Sequence, residues 1–155
     1  MCIGGHAAIL KSVVVREIVE GESEVAAAAL LELRPRWGTV AALAARIDAQ
    51  RLDGYRVAAS LEGDEAAAVA GFRIGENTAW GRFLYVDDLV TRARFRGRGH
   101  AEAVMAWVEA EAARAGCEEL HLDSGLGPER QDAHRFYFRR GMRISSFHFG
   151  KSLDR

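Results

Sequence analysis

A basic, glycine-containing turn follows a strand-like apolar run near the middle of the chain: Val90-Thr91-Arg92-Ala93-Arg94-Phe95-Arg96-Gly97-Arg98-Gly99-His100-Ala101. The apolar spacing of the residues that follow predicts a helix over residues 98–115. The first N–H groups of a helix have no intrahelical partner, and the helix dipole adds partial positive charge at that end. Gly97 and Gly99 carry no Cβ, so the main chain can come close to an anion. The turn is therefore predicted to hold a pyrophosphate.

Alternating apolar runs and turn residues predict the elements that precede this turn. Strands are expected at residues 13–19, 55–61, 66–74 and in a long run that ends at Val90, and helices at residues 22–34 and behind Thr39. Thr39 is the predicted N-cap of the second helix. Short turns at residues 63–64 and 75–77 join three of the strands. This arrangement predicts an antiparallel meander.

Three further elements are predicted behind the central helix. They are a short strand at residues 120–123, a helix that begins near Asp132, and a final strand from Met142 to Phe149. The strand–helix–strand unit from Leu84 to Asp123 needs a crossover connection, which implies one parallel pair in an otherwise antiparallel sheet. The predicted class is α/β (α+β), with a mixed, mostly antiparallel sheet and about four helices.

Length, charge and cysteine content narrow the classes of function. With 155 residues, of which 49% are hydrophobic, the chain can form one domain with its own core. We expect a loose N-terminal extension at residues 1–11 and the folded domain at residues 12–155. A net charge of −1 argues against nucleic-acid and membrane-surface binding, which favour basic surfaces. Two cysteines suggest neither a disulfide framework nor a metal site, and they favour a cytoplasmic setting.

Two motifs together resemble a known family. The turn at residues 96–101 is similar to an Arg/Gln-x-x-Gly-x-Gly/Ala phosphate signature, and Phe136-Tyr137 lies about 40 residues later, before a predicted helix end at Gly141. The chain from Val13 to Leu153 thereby resembles the GNAT superfamily of acyl-CoA-dependent N-acetyltransferases. The resemblance implies an enzyme whose parallel strands splay apart around acetyl-CoA as co-substrate, without a metal.

The resemblance also implies which residues bind the co-substrate. Main-chain groups of Leu89 and Val90 would pair with the pantetheine amides as an added strand does. The pyrophosphate would be held by the turn, whose contributing residues are Arg94, Arg96, Gly97, Arg98, Gly99, His100 and Ala101. Arginine side chains there can add charge-assisted hydrogen bonds. His134 stands where many family members carry Asn, and it is expected to contact the co-substrate.

Asp87, Asp88 and Tyr137 are the candidate catalytic residues. An alkylamine has a pKa of about 10.4 and is mostly protonated at neutral pH, so the reaction benefits from a general base. Asp87 and Asp88 point to opposite faces of a regular strand, so only one can face the acetyl group, and a bulge would change which one. Similarity to polyamine acetyltransferases favours Asp87. The resemblance makes Tyr137 the candidate general acid for the departing thiolate.

The loop between the first two helices is the candidate acceptor site. Arg34 and Arg36 suit an anionic group and Trp37 could line the pocket, whereas the acidic pair suits a cation. Residues 132–153 resemble a branch that includes aminoalkylphosphonate acetyltransferases. We expect direct attack by a small-molecule primary amine in a ternary complex. A non-catalytic acyl-CoA sensor and a protein acetyltransferase are the alternatives, and a homodimer is a possible assembly that the family suggests.

Overall fold

A five-stranded mixed sheet forms the centre of the molecule. The computed structural model describes residues 13–153, so the extension expected at residues 1–11 lies outside it. The strands are β1 (Val14–Ile18), β2 (Arg56–Glu62), β3 (Glu65–Asn77), β4 (Gly81–Thr91) and β5 (Glu119–Leu122). They lie side by side in chain order, and only β4 and β5 run parallel. The meander and the single parallel pair are confirmed.

Four α-helices of the described residues cover the two faces of this sheet. They are α1 (Ser23–Leu33), α2 (Val40–Arg51), α3 (His100–Arg114) and α4 (Gln131–Arg139). Helices α1 and α2 cover one face, and α3, which connects β4 to β5, covers the other together with α4. Thr39 caps α2 as predicted, since its Oγ1 accepts a hydrogen bond from the N–H of Ala42 at 3.1 Å.

Each face of the sheet has its own apolar core. On one face, Leu30 of α1 and Ile47 of α2 are buried with Val69 of the sheet. On the other face, Met105 of α3 is buried with Phe72 of the sheet. Burial of a side chain of this size contributes about 1.5–3 kcal/mol relative to exposure. Many other strand positions are buried alanines. Because alanine side chains are small, both helical layers can approach the sheet closely.

A β-bulge lies at Asp87 in β4. In the pairing of β3 with β4, Gly71 lies opposite Asp88 and Phe72 lies opposite Val86, so Asp87 is the extra residue. Val86 packs on the α3 side of the sheet and Val90 on the side of α1 and α2, and a regular strand would place both residues on the same face. The bulge therefore brings both aspartates to the face of α1 and α2. The sequence predicts Asp87 and Asp88 on opposite faces of a regular strand, and the bulge is the irregularity that changes this arrangement.

Strands β4 and β5 separate beyond the bulge. Their pairing ends where Val86 lies opposite Leu122, whereas β4 continues to Thr91. Among the described residues, no strand pairs with this edge of β4 from Asp87 onward. The splayed gap expected between the two parallel strands is thus present in the fold.

The final strand expected from Met142 to Phe149 is absent, and that prediction was wrong. Gly141 ends α4 as expected, with φ at +78°, but residues 142–153 have no regular secondary structure. We call residues 142–153 the C-terminal arm. Its four largest aliphatic and phenyl side chains are between 76% and 91% exposed: Ile144, Phe147, Phe149 and Leu153. Apolar residues suited to a strand are present in this segment, but a strand also needs a partner for its main-chain hydrogen bonds.

Candidate active site

The glycine turn presents a row of free main-chain donors. Gly97 and Gly99 have positive φ angles of +73° and +84°, and Gly99 is the N-cap of α3. Within the described residues, the N–H groups from Gly97 to Glu102 donate to no protein acceptor. Positive φ at both glycines turns these amides toward solvent at the positive end of the helix dipole. This geometry suits a multiply charged phosphate group.

Most arginines of the turn are paired with glutamates. Arg98 lies 3.3 Å from Glu62, and Arg94 forms an ion pair with Glu65; both glutamates belong to the β2–β3 hairpin. Arg96 forms no ion pair with any carboxylate of the described residues. Charge for an incoming anion is therefore most directly available from Arg96.

His100 directs its side chain away from the turn. The imidazole is buried and contacts Ser60 Oγ at 2.7 Å through Nδ1 and Glu62 Oε1 at 2.9 Å through Nε2. Ala101 follows it in the first turn of α3. His100 can therefore bind an anion at the turn through its main-chain N–H group and not through its imidazole.

A cavity of about 270 Å³ opens where β4 and β5 separate. Its polar lining comes from β4, α4 and the segments that follow α1 and β5: Arg34, Asp87, Asp123, Ser124, Arg130 and Tyr137. Asp88 does not line this cavity. We call it the β4–β5 cavity. It brings together one of the two candidate bases and the candidate acid.

Asp87 is a half-buried carboxylate with one fixed partner. Arg73 Nε donates to its Oδ2 at 2.9 Å, and Arg73 is itself held by Gln50. Burial raises the pKa of Asp87, while the guanidinium of Arg73 opposes the increase and the neighbouring Asp88 adds to it. A carboxylate with a raised pKa is a better proton acceptor than an ordinary aspartate.

Asp88 has both oxygens occupied. Arg34 Nε donates to Oδ1 at 2.8 Å, and the Tyr55 hydroxyl donates to Oδ2 at 2.7 Å. Tyr55 is buried beside Gly71, and burial together with the Asp88 carboxylate raises the pKa of its phenol. Asp88 therefore fixes the positions of Arg34 and Tyr55.

Tyr137 faces the β4–β5 cavity from α4. Its ring packs against Phe136, with centroids 5.7 Å apart. Burial raises the pKa of the Tyr137 phenol, and Arg130 partly opposes this effect. The phenol therefore keeps its proton at neutral pH, which a general acid requires.

The loop behind β5 is fixed by His134. Its Nε2 lies 3.1 Å from Ser124 Oγ and 2.9 Å from the carbonyl oxygen of Gly125. Asp123, just before this loop, contacts His148 of the C-terminal arm at 3.0 Å. His134 thus lies beside the gap and supports one of its walls.

A second cavity, of about 330 Å³, lies between the α1–α2 loop and the sheet. Its polar and aromatic lining consists of Arg34, Arg36, Trp37, Arg46, Gln50, Tyr55 and Asp88. We call it the arginine cavity. The structure brings the predicted Arg34, Arg36 and Trp37 together there, and Arg34 also lines the β4–β5 cavity. Arg46 was not anticipated, because nothing in its spacing distinguishes it from any surface arginine of α2.

Residues 22–142 match the family model described as the Acetyltransferase (GNAT) family. This chain belongs to the GNAT family. An uncharacterized N-acetyltransferase of Bacillus subtilis strain 168 is 33% identical over 102 residues, which cover 65% of this chain and 70% of that protein. The aminoalkylphosphonate N-acetyltransferase of Salmonella typhimurium strain LT2 is 40% identical over 68 residues. That alignment covers 44% of this chain and only 43% of the relative's length.

Solved structures support the same fold for this GNAT-family N-acetyltransferase. An aminoglycoside N-acetyltransferase in complex with CoA superposes with a TM-score of 0.74 at 18% identity, covering 91% of this chain and 94% of that one. No helix in residues 13–153 is long and apolar enough to cross a membrane. Over the same residues, no group of three or more His, Cys, Asp or Glu side chains could hold a metal ion.

Several polar residues of this acetyltransferase were missed by sequence reasoning. Tyr55, Arg73 and Arg130 lie in different segments of the chain and have no characteristic spacing relative to Asp87. No sequence signal marks these residues, because their proximity depends on strand register and on the packing of α2 and α4.

Proposed function

We propose that this protein transfers the acetyl group of acetyl-CoA to the primary amine of a small molecule, by direct attack in a ternary complex. The observation that carries the proposal is the shared position of Asp87 and Tyr137 in the β4–β5 cavity. Residues 12–155 would form the acetyltransferase domain, working in the cytoplasm.

The free amides and the unpaired edge of β4 suit the two ends of acetyl-CoA. The N–H groups from Gly97 to Glu102 would bind the pyrophosphate, with Arg96 adding charge. Main-chain groups of Leu89 and Val90 lie on the part of β4 that β5 leaves unpaired, where they would pair with the pantetheine amides. This placement points the thioester toward the β4–β5 cavity.

Asp87 is our choice of general base. It lines the reaction cavity, its pKa is raised, and Oδ1 forms no hydrogen bond within the described residues. Asp88 is a positioning residue, because Arg34 and Tyr55 occupy both its oxygens. In the reaction, a C–N bond forms, the C–S bond breaks, and the amine nitrogen gives a proton to Asp87.

Tyr137 is our choice of general acid. Its phenol stays protonated, lines the same cavity as Asp87, and can donate a proton to the departing sulfur. Because a thiolate of pKa about 8.5 is already a fair leaving group, this assistance is expected to be modest.

The test is CoA release, monitored by thiol detection, with a panel of small amines. Amine-dependent thiol release with intersecting initial-rate lines supports direct transfer in a ternary complex. Parallel lines would instead indicate an acetyl-enzyme. Acetyl-CoA binding without turnover on any amine would support the alternative of a non-catalytic sensor and contradict the proposal.

We also propose that the protein forms a homodimer through the C-terminal arm. The arm exposes four apolar side chains, and β5 is the edge strand beside it, as the contact between His148 of the arm and Asp123 indicates. An exposed strand-like segment next to a free sheet edge can pair with the same elements of a second copy.

A further inference from the structure

The arginine cavity carries an excess of positive charge. Arg34, Arg36 and Arg46 line it, whereas Asp88 is its single carboxylate, so three positive charges face one negative charge. Asp88 already binds Arg34. The two remaining guanidiniums, those of Arg36 and Arg46, therefore determine the charge that the cavity presents to a ligand.

Arg36 and Arg46 are gathered on one indole ring. Their Cζ atoms lie 4.9 Å and 5.5 Å from the centre of the Trp37 ring. Neither forms an ion pair with a carboxylate of the described residues, although many other arginines of this protein do. Two like charges at one ring and in one cavity repel each other, and an anion bound within reach of both lowers that cost. The planar guanidinium also binds phosphonate and carboxylate oxygens in a bidentate manner.

The arginine cavity adjoins the reaction site through Arg34. This residue lines both cavities, and its guanidinium also donates to the main-chain oxygen of Asp87. A short molecule that reaches past Arg34 would have one end near Asp87 and the other near Trp37. A second cationic group at that far end would meet net positive charge, so the cavity disfavours diamines.

We infer that the acetyl acceptor is an aminoalkyl compound with a terminal oxyanion, a phosphonate or a carboxylate, which Arg36 and Arg46 bind while its amine lies at Asp87. This inference rests on the proposed acetyl transfer and adds the class of acceptor. Trp37 positions the two guanidiniums. Arg36 and Arg46 are thus residues that determine specificity, and the chemistry at the amine does not depend on them.

The experiment compares amines of similar length that differ at the far end: 2-aminoethylphosphonate, 3-aminopropanoate, propylamine and 1,3-diaminopropane. The enzymes are the wild type, R36Q/R46Q and the control R114Q. Arg114 is a matched control, because it also lies over a tryptophan, with its Cζ 5.7 Å from the Trp107 ring, on a helix that lines neither cavity.

We expect kcat/KM of the wild type to be about 10- to 100-fold higher for the anionic amines than for propylamine, the range for charge-assisted hydrogen bonds. R36Q/R46Q should remove this preference by lowering kcat/KM for the anionic amines far more than for propylamine, and R114Q should keep the preference. The ratio of phosphonate to carboxylate identifies the preferred oxyanion. Equal loss for every amine, or no loss for any, would overturn the inference.

Binding measured by calorimetry separates this inference from the proposed function. If no amine is acetylated, acetyl transfer to these compounds fails, yet the anion site is still supported when 2-aminoethylphosphonate binds the wild type and not R36Q/R46Q. Binding of propylamine as tight as that of 2-aminoethylphosphonate, or equal binding to both proteins, would overturn the anion site itself.

Discussion

Asp87 and Asp88 are adjacent in sequence but have different surroundings. The carboxylate of Asp88 is held by two donors, whereas that of Asp87 has one fixed donor and lies in the β4–β5 cavity. Two carboxylates with different environments commonly have different roles, because burial and hydrogen bonding set their pKa values separately. At the scale of single residues, these differences determine the expected effects of substitution.

The first prediction concerns Asp87→Asn. We expect kcat to fall by about 10²- to 10⁴-fold, the usual contribution of a general base. Because burial raises the pKa of Asp87, the acidic limb of kcat/KM in the wild type should lie above the pKa of about 3.9 of a free aspartate. Activity rises with pH through this limb as Asp87 loses its proton. The pH profile of Asp87→Asn should therefore lack the limb.

Asp88→Asn is the comparison for that measurement. It should weaken the placement of Arg34 and Tyr55 and raise KM, while the acidic limb remains. If the limb disappears in Asp88→Asn and persists in Asp87→Asn, the assignment of the two aspartates is reversed.

The second prediction concerns Tyr137→Phe. The ring stays packed against Phe136, so the fold should be kept, but the proton donor is lost. We expect kcat to fall about tenfold or somewhat more at neutral pH, a modest effect because a thiolate leaves readily. Steady-state rates with a saturating amine measure it, and unchanged kcat would remove Tyr137 from the mechanism.

At the scale of elements, the bulge in β4 connects the fold to the site. It turns Asp87 and Asp88 to one face, and Gly71 of β3 lies opposite Asp88. A Cβ on Gly71 would be 1.9 Å from the hydroxyl oxygen of Tyr55 and 2.4 Å from its Cζ. Glycine at this position therefore makes room for the tyrosine that holds Asp88.

The third prediction concerns Gly71→Ala. Tyr55 is buried and must shift, so we expect a loss of unfolding free energy of about 1–3 kcal/mol, as overpacking costs. Acetyl transfer should fall as well, because Tyr55 then leaves Asp88. The Gly63→Ala variant is the control, since a Cβ there meets no atom within 4 Å. Its only expected cost is the strain of a positive φ angle at alanine, and it should keep its activity. Denaturant unfolding and kcat/KM together test this, and an active Gly71→Ala would contradict the role of Tyr55.

At the scale of the whole molecule, co-substrate binding and assembly are the relevant properties. Our fourth prediction is that acetyl-CoA at about 100 times its Kd stabilises the folded protein by about 2.7 kcal/mol. For a chain of this length, the melting temperature should rise by about 5–10 °C. CoA should give a similar shift and ATP a much smaller one, because ATP has no pantetheine to pair with β4. Equal shifts for ATP and acetyl-CoA would argue against the pantetheine site.

The fifth prediction concerns the C-terminal arm. Light scattering coupled to size exclusion should find a dimer for the wild type and a monomer for Phe147→Asp/Phe149→Asp, because both rings are exposed in the single chain. Leu52→Asp is a control with a similarly exposed residue outside the arm, and it should stay dimeric. A monomeric wild type would contradict the assembly.

Local physics made much of the fold predictable from the sequence. Helix α2 begins at the Thr39 cap, the periodicity of α3 buries Val104 and Val108, and Gly97 and Gly99 adopt the positive φ that only glycine adopts readily. The order of β2 to β5 also followed, because short turns allow only antiparallel neighbours and the α3 crossover requires a parallel pair.

The tertiary structure alone decided which of these residues meet. The bulge at Asp87 results from the register between β3 and β4, and the contacts of Asp87 with Arg73 and of Asp88 with Tyr55 join segments distant in sequence. The same holds for Arg46 beside Trp37, and for the expected final strand, whose apolar residues find no partner strand in the described chain. Local sequence patterns predict the backbone conformation of neighbouring residues. A site is assembled by packing between residues that are distant in sequence, and no local pattern predicts those contacts.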